Sequence, residues 1–278
     1  MKKTKVSDKR VKIGVALGGG GMCGVAHVGF LKSLEKNGIK IDYLAGTSMG
    51  SVIGGVYVSG MKLEDIEKKF LSINKNDLLD FNFFQFIKKG IFAGIKLDKL
   101  FESCCVKKDI EECDIKFMGY TVDLKSGKEV ILDKGKISKA MRASSAIPGV
   151  FTPVEKDDYF LVDGGVINIV PFKDLYNCGA DIVIAVNCLN DVAIQNAPKN
   201  TIETLSRSFD LMQDLMWKAD KEQMSDKYDI YLRDNMVGVS PLDIKPEVVQ
   251  QLIDGGEKKT DEIIPLLKDL IKQKEQSL

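Results

Sequence analysis

Three times in this chain a short apolar run breaks into a glycine-rich turn, and this pattern limits the fold more than any other feature. Val11–Leu17 runs into Gly18-Gly19-Gly20-Gly21, the run 41–45 ends in Gly46-Thr47-Ser48-Met49-Gly50, and Tyr159–Val162 leads into Asp163-Gly164-Gly165. A short continuous apolar run bounded by turn signals reads as a strand buried on both faces. After the first turn, Val25, Val28, Leu31 and Leu34 recur at three-residue steps, a helix pattern that Asn37-Gly38 closes. A second helix is expected over 51–58. Strand, turn and helix in succession are the layout of a parallel α/β sheet. Further strands are expected over 115–122, 129–132, 181–186 and 228–232. Helices are expected over 62–70, 97–104, 137–143, 201–224 and most of 246–273. No internal repeat or linker divides the chain.

The 278 residues contain one histidine, His27. That count excludes His-rich metal centres and paired-histidine acid–base schemes. A Ser-His-Asp triad would have to use His27, whose spacing from Leu31 and Leu34 puts it near the buried face of its helix, as a structural residue. The six cysteines, at 23, 104, 105, 113, 178 and 188, form no C-x-x-C pair and read as reduced thiols in a cytoplasm. Forty basic residues balance forty acidic ones, which argues against a nucleic-acid binder. The start is basic, with Lys2, Lys3, Lys5, Lys9, Arg10 and Lys12. Only Val15-Ala16-Leu17 follows before the glycines, too short for a signal-peptide core, and no run is long enough to span a membrane. The arm reads as a solvated end, with weak attraction to anionic lipid as the functional alternative.

Loops at the C-terminal ends of parallel strands converge on one crevice, so the three turns are expected to meet. Gly18 to Gly21 lack side chains, so their backbone N–H groups can come close to an anion at a helix start. In the G-x-S-x-G turn, Gly46 and Gly50 permit the sharp bend that presents a serine hydroxyl, here Ser48. Asp163 emerges at a strand end, where Gly164 and Gly165 admit close neighbours. It can take the Ser48 proton if it is partly desolvated and held to the serine. Each turn alone is more often only a turn; the three together carry the argument. A rival reading is that Gly19 to Gly24 satisfies G-x-G-x-x-G, a dinucleotide fingerprint that wants an acid about 20 residues on. Asp42 has that spacing but starts its strand. Ser144 and Ser145 are rival nucleophiles in principle, but near a helix end and without a glycine elbow they read as caps or loop bonds. Asp123 ends a strand and could line the site, which an adjoining turn explains as well. The cluster Phe81, Phe83, Phe84, Phe86 and Phe92, with Lys88 and Lys89, reads either as an acyl-chain pocket or lid or as helix core. Met212, Met216, Trp217 and Met224 read as packing.

The segments GGGGMCGVAHVGFLKSLEKNGI, DYLAGTSMGSVIGGVY, MRASSAIPGVF and DGGVINIVPF, in that order, resemble the patatin-like phospholipase family. The resemblance implies one domain over 8–273, strongest over 11–190, with a helical C-terminal part over 200–273. It implies an α/β three-layer sandwich: a mostly parallel central sheet with helices on both faces. It further implies a serine acyl hydrolase with a Ser-Asp dyad. Ser48 matches the nucleophile, Asp163 the base, and Gly19, Gly20 and Gly21 the oxyanion loop. Gly24, Gly46, Gly50, Gly164 and Gly165 complete the motifs. Family members generally need no metal or organic cofactor and act on acyl esters of phospholipids, lysophospholipids or glycerides; some transfer the acyl group. The expected partner is therefore a lipid or acyl-ester substrate and not a nucleic acid. Peripheral membrane contact stays open, as does the oligomeric state. Bacterial relatives usually carry Arg or Lys before the last glycine of the first motif, where this chain has Cys23. A catalytically idle lipid- or nucleotide-binding module is the alternative from another function class.

Overall fold

The computed structural model describes residues 10–74, 77, 80, 92–189, 197–198, 201–223, 228–233 and 245–277. Its strands are β1 (Ile13–Leu17), β2 (Tyr43–Thr47), β3 (Lys116–Asp123), β4 (Lys128–Leu132), β5 (Val154–Lys156), β6 (Tyr159–Asp163), β7 (Ile182–Asn187) and β8 (Ile230–Arg233). Its helices are α1 (Ala26–Lys36), α2 (Met49–Val58), α3 (Leu63–Ser72), α4 (Ile95–Cys104), α5 (Ile137–Ser144), α6 (Thr201–Gln223) and α7 (Pro246–Ser277). The strands form one sheet in the order β5-β6-β3-β2-β1-β7-β8, with β4 also paired to β3. From β3 to β8 the pairing is parallel; β4, β5 and β6 are antiparallel additions at one side.

Alternating side chains send each strand's residues to two separate cores. On one face, Ile13, Val15, Leu17, Leu44 and Phe117 pack with residues of α1, α2, α5 and α7. On the other, Ala16, Tyr43, Ala45 and Tyr120 pack with Phe172, Leu175 and Trp217 of α6. Both faces are covered, so β1, β2 and β7 are buried throughout. This is the expected mostly parallel sheet with helices on both faces.

Two expectations change. The helix predicted from residue 22 begins as a tight 3-10 turn, Gly21–Val25, and becomes α-helical only at Ala26. More consequentially, the Asp163 turn does not end a parallel strand. β3 extends past β2, whose last pair is Thr47 with Tyr120. The antiparallel β6 pairs with that overhang, Asp123 opposite Leu161 and Thr121 opposite Asp163. β6 thus runs back toward the sheet and delivers Asp163 to the level of Thr47.

The acid at the other end of the sheet is also settled. Asp42 accepts the Ile13 N–H at 2.9 Å and pairs with Arg10. It caps the N-terminal edge of β1, away from the glycine turn, which removes the ribose-binding acid that a dinucleotide reading needs.

Candidate active site

Ser48 joins β2 to α2 with φ 54° and ψ −123°, a positive φ that only strain-tolerant positions adopt. The bend is held from outside. The Ser48 N–H donates to Ser144 Oγ at 3.0 Å, and Ser144 Oγ donates to the Tyr120 carbonyl at 2.7 Å. Ser144, at the end of α5, is therefore a brace for the elbow. Its motif is visible in the sequence, but this role is not, because both partners lie on distant elements. Gly50 lets the start of α2 press on the end of β1: a Cβ there would lie 2.0 Å from the Leu17 carbonyl oxygen.

Asp163 is 1% exposed. One carboxylate oxygen accepts the Gly165 N–H at 2.8 Å, and the other is buried without a hydrogen bond of standard geometry. Burial pushes its pKa up from 3.8 to about 6, against the opposing effects of the nearby Ser48 hydroxyl and the Gly165 N–H. The Ser48 hydroxyl is thus a neighbour of the buried carboxylate.

The glycines bring the turns together. A Cβ on Gly19 would lie 3.2 Å from Ser48 Cβ and 2.6 Å from Ile169 Cδ1; one on Gly165 would meet the same Ile169 atom at 3.1 Å. Gly24 abuts Met49, Gly46 abuts Ser51, and Gly164 abuts the Tyr120 carbonyl. Ile169, which no sequence motif singles out, sits between the first and third turns.

The expected oxyanion loop needs one correction. The Gly18 N–H donates to Val186 and the Gly19 N–H to Ile169, both at 2.9 Å. Backbone pairing therefore continues beyond Leu17 and uses up the Gly18 and Gly19 donors, two of the four amides expected to be free. The N–H groups of Gly20 and Gly21 donate to no group among the described residues. Gly20, at φ 142°, turns the chain beside the Cys188 carbonyl, where a Cβ would meet it at 2.8 Å. Cys23, in the family's usual cation position, is 3% exposed and presents no charge to a ligand.

His27 is fully buried. Its Nε2 lies 2.8 Å from the Gly18 carbonyl, which assigns it the proton as donor, and its Nδ1 lies 3.6 Å from Cys188 Sγ. Burial lowers its pKa to about 4, so the ring is neutral and ties the glycine loop to the chain just past β7. A folded His27→Asn variant is expected to keep esterase activity within about tenfold while losing roughly 1–3 kcal/mol of stability, from the orphaned carbonyl. Thermal melts and ester assays check this; inactivation as complete as in Ser48→Ala would count against a dyad.

The alternates resolve as structural groups. Ser145 Oγ donates to Met141. Asp123 accepts from Phe160, Lys125 and Ser126, which together hold its pKa down to about 2, as a turn anchor. Trp217 is buried as expected, whereas Met212 is 54% exposed and is not core. Met224, the arm before Arg10 and the cluster from Phe81 to Lys89 lie outside the described residues; Phe92 pairs with Phe151. Among the described residues no group of three or more His, Cys, Asp or Glu is placed to hold a metal, and no helix is long and apolar enough to cross a membrane.

Comparisons with known proteins bear on the family and the fold. The family model described as patatin-like phospholipase matches residues 15–176. An uncharacterized NTE family protein of Mycobacterium tuberculosis is 34% identical over 176 residues, covering 63% of this chain and 49% of that protein. The lysophospholipase NTE1 of Scheffersomyces stipitis is 28% identical over 200 residues, 70% of this chain and 13% of that protein. The chain thus spans about half the length, or less, of these relatives. The crystal structure of VipD from Legionella pneumophila superposes with a TM-score of 0.52 at 12% identity, over 98% of this chain and 69% of that one, a likeness of fold.

Proposed function

This chain belongs to the patatin-like phospholipase family, and on that premise we propose that it is a serine acyl hydrolase cleaving fatty-acyl esters of phospholipids or related lipids. One observation carries the reading. A buried carboxylate, raised toward neutrality and with one oxygen unpartnered, lies beside a serine on a strained strand-to-helix elbow. In this reading the Ser48 hydroxyl oxygen attacks the ester carbonyl while Asp163 accepts its proton. The tetrahedral oxyanion is held by the N–H groups of Gly20 and Gly21, assisted by the start of α2. Collapse expels the alcohol or lysolipid, which takes the proton from Asp163. Water, deprotonated by Asp163, then attacks the acyl-enzyme; the fatty acid leaves and Ser48 recovers its proton. The mechanism uses no cofactor. The same reading takes residues 8–273 as one catalytic domain.

The test is covalent. A fluorophosphonate is expected to label wild-type protein at Ser48 and to leave Ser48→Ala unlabelled. A lipid panel read by mass spectrometry should show fatty acid release only by the wild type. No labelling of folded wild type, or equal lipid hydrolysis by both proteins, would eliminate Ser48 as the nucleophile.

A further inference from the structure

Helix α6 has two faces with different surroundings. Gln213, Asp214 and Trp217 are buried. Gln213 Nε2 donates to the Gly165 carbonyl at 3.1 Å, and Trp217 packs edge-on against Phe172. This face braces the turn that carries Asp163. The opposite face, from Thr204 to Leu215, presents Thr204, Leu205, Ser208, Leu211, Met212 and Leu215, all exposed. These positions recur at steps of three and four, so they form one stripe along the helix. It contains no charged and no aromatic side chain. Leu205, Met212 and Leu215 are 56%, 54% and 66% exposed. A helix facing water normally carries its charges on this side. Four flexible apolar side chains there make a surface suited to an apolar phase.

We propose that the exposed face of α6, Leu205 to Leu215, is the surface by which this protein docks on a lipid bilayer, bringing the site braced by its other face to the interface. Three observations favour lipid as the occupant. Four of the six stripe positions are Leu or Met, with Ser208 between them, and none is an aromatic anchor of the kind protein interfaces concentrate. Arg207, beside Asp210, and Lys218, paired with the buried Asp214, border one edge, where their long stems can lie along acyl chains. The same helix is hydrogen-bonded to the Asp163 turn, so docking and site share one rigid element. The proposal rests on the reading of a lipid substrate, yet it can be measured without turnover.

The experiment uses the full chain as Ser48→Ala, with and without Leu211→Glu and Leu215→Glu together. Binding is read by co-sedimentation with vesicles of phosphatidylcholine containing a minor fraction of phosphatidylglycerol. Partitioning of the triple variant is expected to fall about tenfold or more, with an unchanged thermal melt. In the chain that keeps Ser48, the two glutamates should leave hydrolysis of a soluble short-chain ester unchanged and depress hydrolysis of vesicle lipid. Leu205→Gln with Met212→Gln, both at exposed positions, repeats the test if the glutamates impair folding. Equal vesicle binding by parent and variants overturns the proposal. So does a lipid-free dimer that the substitutions dissociate while vesicle binding persists, which assigns the stripe to a second copy. Loss of vesicle binding in a protein whose Ser48 takes no fluorophosphonate supports the docking face and removes the hydrolase reading instead.

Discussion

Asp163→Asn is expected to cut ester hydrolysis roughly a thousandfold or more while leaving the folded chain as stable as wild type, or more so, at alkaline pH. The carboxylate is fully buried, and burial raises its pKa from 3.8 to about 6. The unfolded chain ionises this group near 3.8, so between that value and 6 the folded state holds a proton that the unfolded state has lost. Stability from this residue therefore rises as pH falls from 6 toward 3.8, and above 6 the full cost of burying the charge is present. A displacement of this size corresponds to roughly 3 kcal/mol, at about 1.4 kcal/mol per unit. Asparagine keeps an oxygen for the Gly165 N–H and carries no charge, so the cost disappears together with the base. Wild-type kcat/KM should show an acid limb centred near 6, because only the ionised form takes the serine proton. Denaturant titrations and ester assays across pH read both effects. Full activity in the Asn variant would remove Asp163 from the mechanism, and an acid limb at the ordinary carboxylate value would contradict its burial.

Gly50→Ala should be among the most damaging single-methyl changes in the chain, costing roughly 3–5 kcal/mol of stability. The added Cβ would lie 2.0 Å from the Leu17 oxygen and 2.6 Å from the Gly18 oxygen, both backbone atoms at the end of a strand paired on both sides. No side-chain rotation relieves such a contact, so α2 or the end of β1 must move. Either shift separates Ser48 from the Gly20 and Gly21 donors, and activity should collapse even where the variant folds. Gly127→Asn is the contrasting case. Gly127 has φ 70°, a Cβ there would meet nothing within 4 Å, and asparagine tolerates that conformation. Its melting temperature should barely move. A Gly50→Ala protein with wild-type melting and activity would mean that the close approach of α2 to β1 has no bearing on the site.

The parts of the site legible in the sequence are those made by local chain. The G-x-S-x-G turn announces a serine elbow because tight strand-to-helix bends need small residues at 46 and 50. Runs such as 182–186 announce strands because both of their faces must be apolar. Helical spacing alone places His27 as a structural residue, and the folded chain agrees. The departures have a common cause. Whether the Gly19 N–H is free depends on Ile169, about 150 residues away in the chain. Ser144 resembles a simple cap in the sequence because its partners, Ser48 and Tyr120, belong to the β2–α2 elbow and to β3. Met212 resembles core because spacing identifies an apolar stripe but not which side of the helix the protein covers.

Residue type and short-range spacing were enough for the strand–turn–helix units, the serine at its elbow, an acid in the third turn as its candidate partner and the lack of a second histidine. How these parts meet is a property of the folded chain. A three-residue overhang of β3 lets an antiparallel strand pair there and run backward, setting Asp163 level with the end of β2. Strand register and direction arise from hydrogen bonds between distant segments, and no local pattern in either segment records them.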